Sequence, residues 1–239
     1  MKTNKSHLLL LAVLTLPAIE CEALNTGLKA EDIYHALKKH PELLDEALAR
    51  AKKPHREMSR HKKQNDRARQ HHELVYEEKG YPLIGNEKAA HTVVVFADPQ
   101  CAQCHTLLSD LVAYVGQNDD VKFVLKNIPY LGEGSQKLSE QALAAMVNGT
   151  FSLWLNSYLN HPGRIDAAAI ESLSKIAQEG PQELVHFIEQ SKKIARQLNI
   201  NSTPTFVVAD KVYEDYRGLE SFSALLDRRL RKAITSASQ

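Results

Sequence analysis

The chain contains only three cysteines, Cys21, Cys101 and Cys104, among 239 residues. That count excludes a disulfide-dense scaffold, in which several bridges stand in for a core. No charge of one sign dominates. Lysine and arginine total 30 against 29 acidic residues, so bulk charge selects no nucleic-acid or membrane partner. The apolar run Leu8–Leu16 falls well short of the about 20 residues that a membrane-crossing helix needs. Internal repeats and low-complexity tracts are also lacking. What is left is a chain long enough for one domain with a real core plus an appendage.

The first residues are organised as an export signal. Lys2 and Lys5 precede the Leu8–Leu16 run, Pro17 follows, and Cys21-Glu22-Ala23 supplies small residues at a cut site. A basic start, a short apolar run and a small-residue site describe a cleaved signal peptide, with cleavage expected after Ala23. Acylation of Cys21 is the lesser alternative, because Glu20 occupies the preceding position. Cleavage would leave two cysteines, both in Cys101-Ala102-Gln103-Cys104-His105. A bridge closing so short a loop constrains little of the unfolded chain, so the pair is expected to exchange disulfides.

C-x-x-C-H also marks c-type haem attachment, and the flanks decide between the readings. Thr92–Ala97 runs into the motif as an apolar, β-branched block, as a strand buried on both faces would. Leu107, Leu108, Leu111, Val112 and Val115 then recur at helical spacing. Cys101 therefore stands where a strand ends and a helix begins. A haem would also need an axial partner for His105, and neither Met58 nor Met146 sits in a Gly/Pro-rich ligand loop. Half of a zinc site would lack its second cysteine pair. No cofactor and no structural metal is expected.

Residues 24–75 differ from the rest. Ile33, Leu37, Leu43, Leu44, Ala47 and Leu48 predict one or two amphipathic helices around His40-Pro41. A basic stretch from Arg50 to His72 follows with few apolar residues, which predicts a solvated helix or extended connector. A nucleic-acid or anionic-membrane patch is the weaker reading, since aromatics are missing there. Copper binding by His55, His61, His71 and His72, with or without the two cysteines, stays open as a different class of function.

The main domain is expected at 76–239. Val121–Lys126 predicts a second strand, residues 135–198 a helical block, Thr205–Ala209 a strand with a hairpin through Asp210-Lys211 to Val212-Tyr213, and Leu219–Ile234 a closing helix. Thr203-Pro204 directly opens the late strand, an unusual place for proline.

The motifs Phe96-Ala97-Asp98-Pro99-Gln100-Cys101, Asn127-Ile128-Pro129-Tyr130-Leu131-Gly132 with Ser135, and Ile200-Asn201-Ser202-Thr203-Pro204-Thr205-Phe206 resemble those of the DsbA-like branch of the thioredoxin superfamily. The helical extension with His40-Pro41-Glu42-Leu43-Leu44 resembles that of ScsC-type proteins. The resemblance implies an α/β thioredoxin fold with a helical insertion, plus an N-terminal helical extension that oligomerises the protein as a dimer or trimer. It implies a cis proline at Pro204 beside the dithiol, and substrate pairing through the backbone of Thr203. The implied substrates are unfolded or misfolded exported proteins with cysteines, and the implied redox partner is a membrane protein of the DsbD or DsbB type. Three positions depart from the pattern. Ala102-Gln103 lacks the usual proline or histidine, Val95 stands where an acid is common, and Ser202 replaces glycine. An oxidant strength is therefore not carried over.

The chemistry needs a thiolate. A helix start presents unpaired N–H groups and the positive end of the dipole, so Cys101 is the expected nucleophile. Cys104, one turn on, is the expected resolving thiol. Gln103 or His105 is a candidate hydrogen-bond donor to the sulfur, and Asp98 a candidate loop organiser or proton relay. Together these features predict a periplasmic thiol–disulfide oxidoreductase, with isomerase favoured over dithiol oxidase.

Overall fold

The computed structural model describes residues 30–161 and 165–237. The expected signal peptide, with Cys21 and Ala23, lies outside them. So do the side chains of Ile33, Leu43, Leu44 and Leu48, on which the expected apolar stripe rests.

Helix α1 (Ala30–Lys39) ends before Pro41, which opens α2 (Pro41–Gln70). Proline suits a first helical turn because its missing N–H has no intrahelical partner there. The chain divides into two units, residues 1–57 and 58–239. The boundary expected at residue 76 therefore falls earlier, at Met58. Residues 58–76 do not form a free connector. Arg60 pairs with Glu214 at 2.6 Å. Gln64 donates to the Asn199 carbonyl at 3.0 Å, and Asn65 Oδ1 accepts the Val212 N–H at 2.8 Å. Ala68 and Val75 are buried. The basic residues mislead here because they occupy the outer face of a helix whose inner face is Gln64, Asn65 and Ala68. A short helix α3 (His72–Val75) follows, and His72 reaches Asp210 at 2.7 Å.

The sheet contains β1 (Leu83–Gly85), β2 (His91–Ala97), β3 (Val121–Asn127), β4 (Thr205–Val208) and β5 (Lys211–Tyr213), in the order β1-β3-β2-β4-β5. β2 and β3 are parallel, and the other pairs are antiparallel. β2 is buried on both faces, as its continuous apolar run predicts. Val93, Val95 and Ala97 enter one core; Val94 and Phe96 enter the other. Leu83-Ile84-Gly85 is a short edge strand paired with β3. The β4–β5 hairpin turns at Ala209-Asp210, both at positive φ (45° and 58°), one residue earlier than expected. Two left-handed residues make a turn whose twist matches the flanking strands.

On the first face pack α4 (Ala102–Val115) and α9 (Leu219–Ala237). Leu107, Leu108 and Leu111 of α4 are buried, each contributing about 1.5–3 kcal/mol relative to exposure. The second face carries residues from α2, α3 and α8 (Val185–Gln197). Between β3 and β4 runs the helical insert: α5 (Glu133–Val147), α6 (Phe151–Leu159), α7 (Ala167–Ala177), a 3₁₀ turn at Gln182–Leu184, and α8. This is a thioredoxin fold with a helical insertion.

One polar burial stands out in the second core. Lys126 of β3 is fully buried. Its Nζ donates to the Glu77 carbonyl at 2.9 Å and sits 3.4 Å over the Tyr81 ring. Burial pulls its ammonium down to about 7, and Glu77 opposes that shift only in part.

Candidate functional site

Sheet register builds the site. Phe96 at the end of β2 is the Cα partner of Thr205 at the start of β4. The residues just before Thr205 therefore lie beside the turn that leaves β2. That turn is Asp98-Pro99-Gln100, closed by a bond from the Cys101 N–H to the Asp98 carbonyl at 3.0 Å. It delivers Cys101 to the N-cap of α4, with extended backbone (φ −80°, ψ 118°).

At this cap the Cys101 sulfur accepts the Cys104 N–H at 3.4 Å, the role that an oxygen usually fills. Across the gap, the Cys101 Sγ–H donates to the Thr203 carbonyl at 3.5 Å. The Thr203–Pro204 peptide bond is cis. Cys101 is partly exposed and Cys104 is fully buried, both as free thiols. Burial pushes the Cys104 thiol up, and the neighbouring Cys101 sulfur adds to that. The two sulfurs therefore differ in access. One faces outward at a helix start, and the other is held as a neutral thiol behind it.

Asp98 is completely buried, and its carboxylate accepts four hydrogen bonds. Oδ1 takes the Gln100 N–H at 2.8 Å and the Ser135 hydroxyl at 2.6 Å. Oδ2 takes the Tyr130 N–H at 2.6 Å and the Leu131 N–H at 2.9 Å. These bonds fix the dithiol turn to the segment after β3 and occupy both oxygens. Such geometry organises the loop; it leaves no oxygen lone pair directed at Cys101 for a proton relay.

Of the two candidate donors, His105 turns to Tyr158. His105 Nε2 lies 3.4 Å from the Tyr158 carbonyl, and its ring packs on Tyr158 at 5.2 Å between centroids. Gln103 is exposed. Val95 is buried between Leu125 and Phe206, so no acid stands in that strand position. Among the described residues no group of three or more His, Cys, Asp or Glu could hold a metal ion.

Two participants escape a reading of the motif alone. Tyr158, from α6 in the insert, donates its hydroxyl to the Pro99 carbonyl at 2.6 Å. Burial, with Cys104, Asp98 and Cys101 nearby, pushes that hydroxyl well up. Gln100 donates to the Ile165 carbonyl at 2.9 Å. Both tie the dithiol turn to the insert. Their sequence signal is slight, because a tyrosine in an apolar helix reads as core.

A family model described as thioredoxin matches residues 77–228. Disulfide bond formation protein D of Bacillus subtilis (strain 168) is 25% identical over 175 residues, covering 64% of this chain and 78% of that protein. Among solved structures, the catalytic domain of Proteus mirabilis ScsC superposes with a TM-score of 0.65 at 21% identity, over 70% of this chain and 98% of that one. A linker-deletion mutant of the same protein gives 0.67 at 22% identity, over 87% and 99%. The family match takes in the sheet, the dithiol turn, the insert and the Thr203-Pro204 element, and on that basis the chain belongs to the thioredoxin family.

Proposed function

We propose that the protein is an exported, periplasmic thiol–disulfide oxidoreductase acting on cysteines of other proteins, and that it works as a disulfide isomerase. The observation that carries this reading is the asymmetry of the dithiol. Cys101 Sγ caps a helix beside the Thr203 carbonyl, while Cys104 lies buried behind it. A thiolate attacks a disulfide best where N–H dipoles favour its charge.

In the first step Cys101 attacks one sulfur of a substrate disulfide. The new bond joins Cys101 to the substrate, and the other substrate sulfur leaves as a thiolate. In isomerisation that thiolate attacks a second disulfide of the same substrate. A substrate thiolate finally displaces Cys101, so no electrons are transferred overall. Cys104 gives the escape route. Its thiol loses its proton, attacks Cys101 Sγ and releases the substrate as a thiol. That passes two electrons to the substrate and closes the Cys101–Cys104 disulfide, which a membrane redox partner would reduce again. Thr203 and Pro204 line the groove in which an extended substrate pairs with backbone groups.

The N-terminal helices carry the second part of the proposal. A homo-oligomer, dimer or trimer, would place several Cys101 sites around one substrate. The oxidase direction is favoured by one observation, the name of the Bacillus relative, a disulfide bond formation protein.

Trapping with Cys104→Ser tests the exchange chemistry. Mixed disulfides with exported proteins should accumulate, and they should vanish in the Cys101/Cys104 double serine variant. The direction follows from the thiol state in cells. A chiefly reduced pair supports isomerase; a chiefly oxidised pair overturns it in favour of oxidase.

A further inference from the structure

The dithiol turn contains one peptide group that is held at both poles. The Pro99 carbonyl accepts the Tyr158 hydroxyl at 2.6 Å. The N–H of the same peptide, on Gln100, donates to Asp98 Oδ1 at 2.8 Å. Proline has no N–H of its own, so the carbonyl is the only backbone handle on residue 99. The next peptide carries the Cys101 N–H, which closes the turn on the Asp98 carbonyl at 3.0 Å.

Tyr158 is itself fixed. Trp154 stacks on its ring, with centroids 5.4 Å and planes 6° apart, and His105 packs against it at 5.2 Å. Trp154 is anchored in turn, its Nε1–H donating to Gln141 Oε1 of α5 at 3.3 Å. The ring has little freedom to turn, and both its hydroxyl and the Pro99 carbonyl are removed from water. Burial first, then the nearby Cys104, Asp98 and Cys101, push that hydroxyl up, so it stays a donor.

The consequence is electrostatic. A peptide unit carries a dipole of about 3.5 D. Without the Tyr158 donor, the Pro99 carbonyl would be a buried acceptor with no partner. Its negative end would be free to swing from α6 towards the dithiol. A carbonyl oxygen facing a thiolate raises the energy of that anion. The disulfide carries no charge and is indifferent to it. The Tyr158 bond therefore matters more to the reduced protein, with Cys101 as a thiolate, than to the oxidised protein.

We propose that Tyr158 is a positioning residue for thiol–disulfide exchange: by keeping the Pro99 carbonyl turned to α6, it stabilises the Cys101 thiolate and makes the dithiol a stronger oxidant than its turn alone would be. The proposal deepens the thiol-exchange reading and rests on it. It gives the helical insert a chemical part, that of setting the redox poise of cysteines that belong to another segment of the chain.

The test is a redox equilibrium of the full mature chain. In it the Cys101–Cys104 dithiol gives two electrons and two protons to glutathione disulfide, leaving the protein disulfide and two glutathione thiols. Tyr158→Phe should shift the constant towards the protein disulfide by about fivefold, the equivalent of about 1 kcal/mol. Urea unfolding of both redox forms completes the cycle. The variant should lose more stability as the dithiol than as the disulfide. Tyr216→Phe is the control, because it removes another buried tyrosine hydroxyl, one that donates to Asp110 farther along α4. It should cost both forms equally and leave the constant alone. Placing 3-fluorotyrosine at position 158 keeps the ring and strengthens the donor, so the constant should move the opposite way, towards the dithiol. That protein decides the matter if Tyr158→Phe does not fold. An unchanged constant in Tyr158→Phe, or in the fluorotyrosine protein, makes Tyr158 a contact of the fold only and overturns this proposal alone. A wild type that does not exchange with glutathione at all overturns the exchange reading and this proposal together.

Discussion

Ser135 donates its hydroxyl to Asp98 across 2.6 Å in the interior, with both side chains removed from solvent. Asp98 belongs to the turn that presents the dithiol, and Ser135 to the first turn of the insert. The pair joins the two halves of the catalytic domain immediately beside Cys101.

Removing the carboxylate should therefore cost more than removing any one donor. Asp98→Ala leaves the Gln100, Tyr130 and Leu131 N–H groups and the Ser135 hydroxyl without their acceptor. A loss of about 2–4 kcal/mol is expected, against about 1 kcal/mol for Ser135→Ala. Urea unfolding of the two variants ranks them; equal midpoints would show that the turn finds other acceptors.

The two thiols should separate chemically. Cys104 is buried, and its thiol is pushed up first by that burial and then by the Cys101 sulfur. Iodoacetamide at pH 8 should modify one cysteine per reduced chain, identified as Cys101 by peptide mass. Cys104 should react only after unfolding in urea. Two modifications under native conditions would mean that Cys104 is open to solvent.

Lys126 gives stability a pH dependence of definite sign. Its folded value, about 7, lies below its ordinary 10.5. Between those limits the unfolded chain keeps a proton that the folded chain has released, so stability rises with pH across that window. The penalty is fully present below about pH 7. Lys126→Met should raise stability at pH 6 by about 1–2 kcal/mol and flatten the rise between pH 7 and pH 10. An unchanged slope would show that Lys126 stays charged in the folded protein.

Truncation should be tolerated up to the division at Met58 and not beyond. A chain starting at Met58 keeps the contacts of Arg60, Gln64, Asn65 and Ala68 with the catalytic domain. One starting at Glu73 loses them and uncovers the Val212 N–H on edge strand β5, a template for strand addition. The first should unfold at the same urea concentration as the longer chain. The second should lose about 3 kcal/mol, from several bonds of about 1 kcal/mol each, and self-associate. Equal stability of the two would make residues 58–72 a spacer after all.

Much of the fold was legible because period and punctuation agree. Thr92–Ala97 reads as a doubly buried strand and is one, and Cys101 sits at the strand-to-helix junction that its flanks predict. Thr203-Pro204 marks the second wall of the site at long range. The hidden parts share a physical cause. Residues 58–70 look solvated because charge covers one helix face, while Gln64 and Asn65 make contacts that hydropathy does not register. Lys126 sits near the end of β3, where a lysine normally indicates an exposed face, and its partners are a carbonyl and a ring brought from far along the chain. Tyr158 and Gln100 act through backbone carbonyls, which leave no trace in side-chain patterns.

The position of β2 has a mechanical consequence. In the mixed disulfide proposed above, a pull from the substrate would enter the protein at the turn after Ala97. The strand that receives the pull is not at a margin. Each residue from His91 to Ala97 is in register with β3, and Val94, Val95 and Phe96 are also in register with β4. Force along that strand must shear ladders on both sides at once rather than unzip one bond at a time. On that proposal the tether ends on a strand held from both sides.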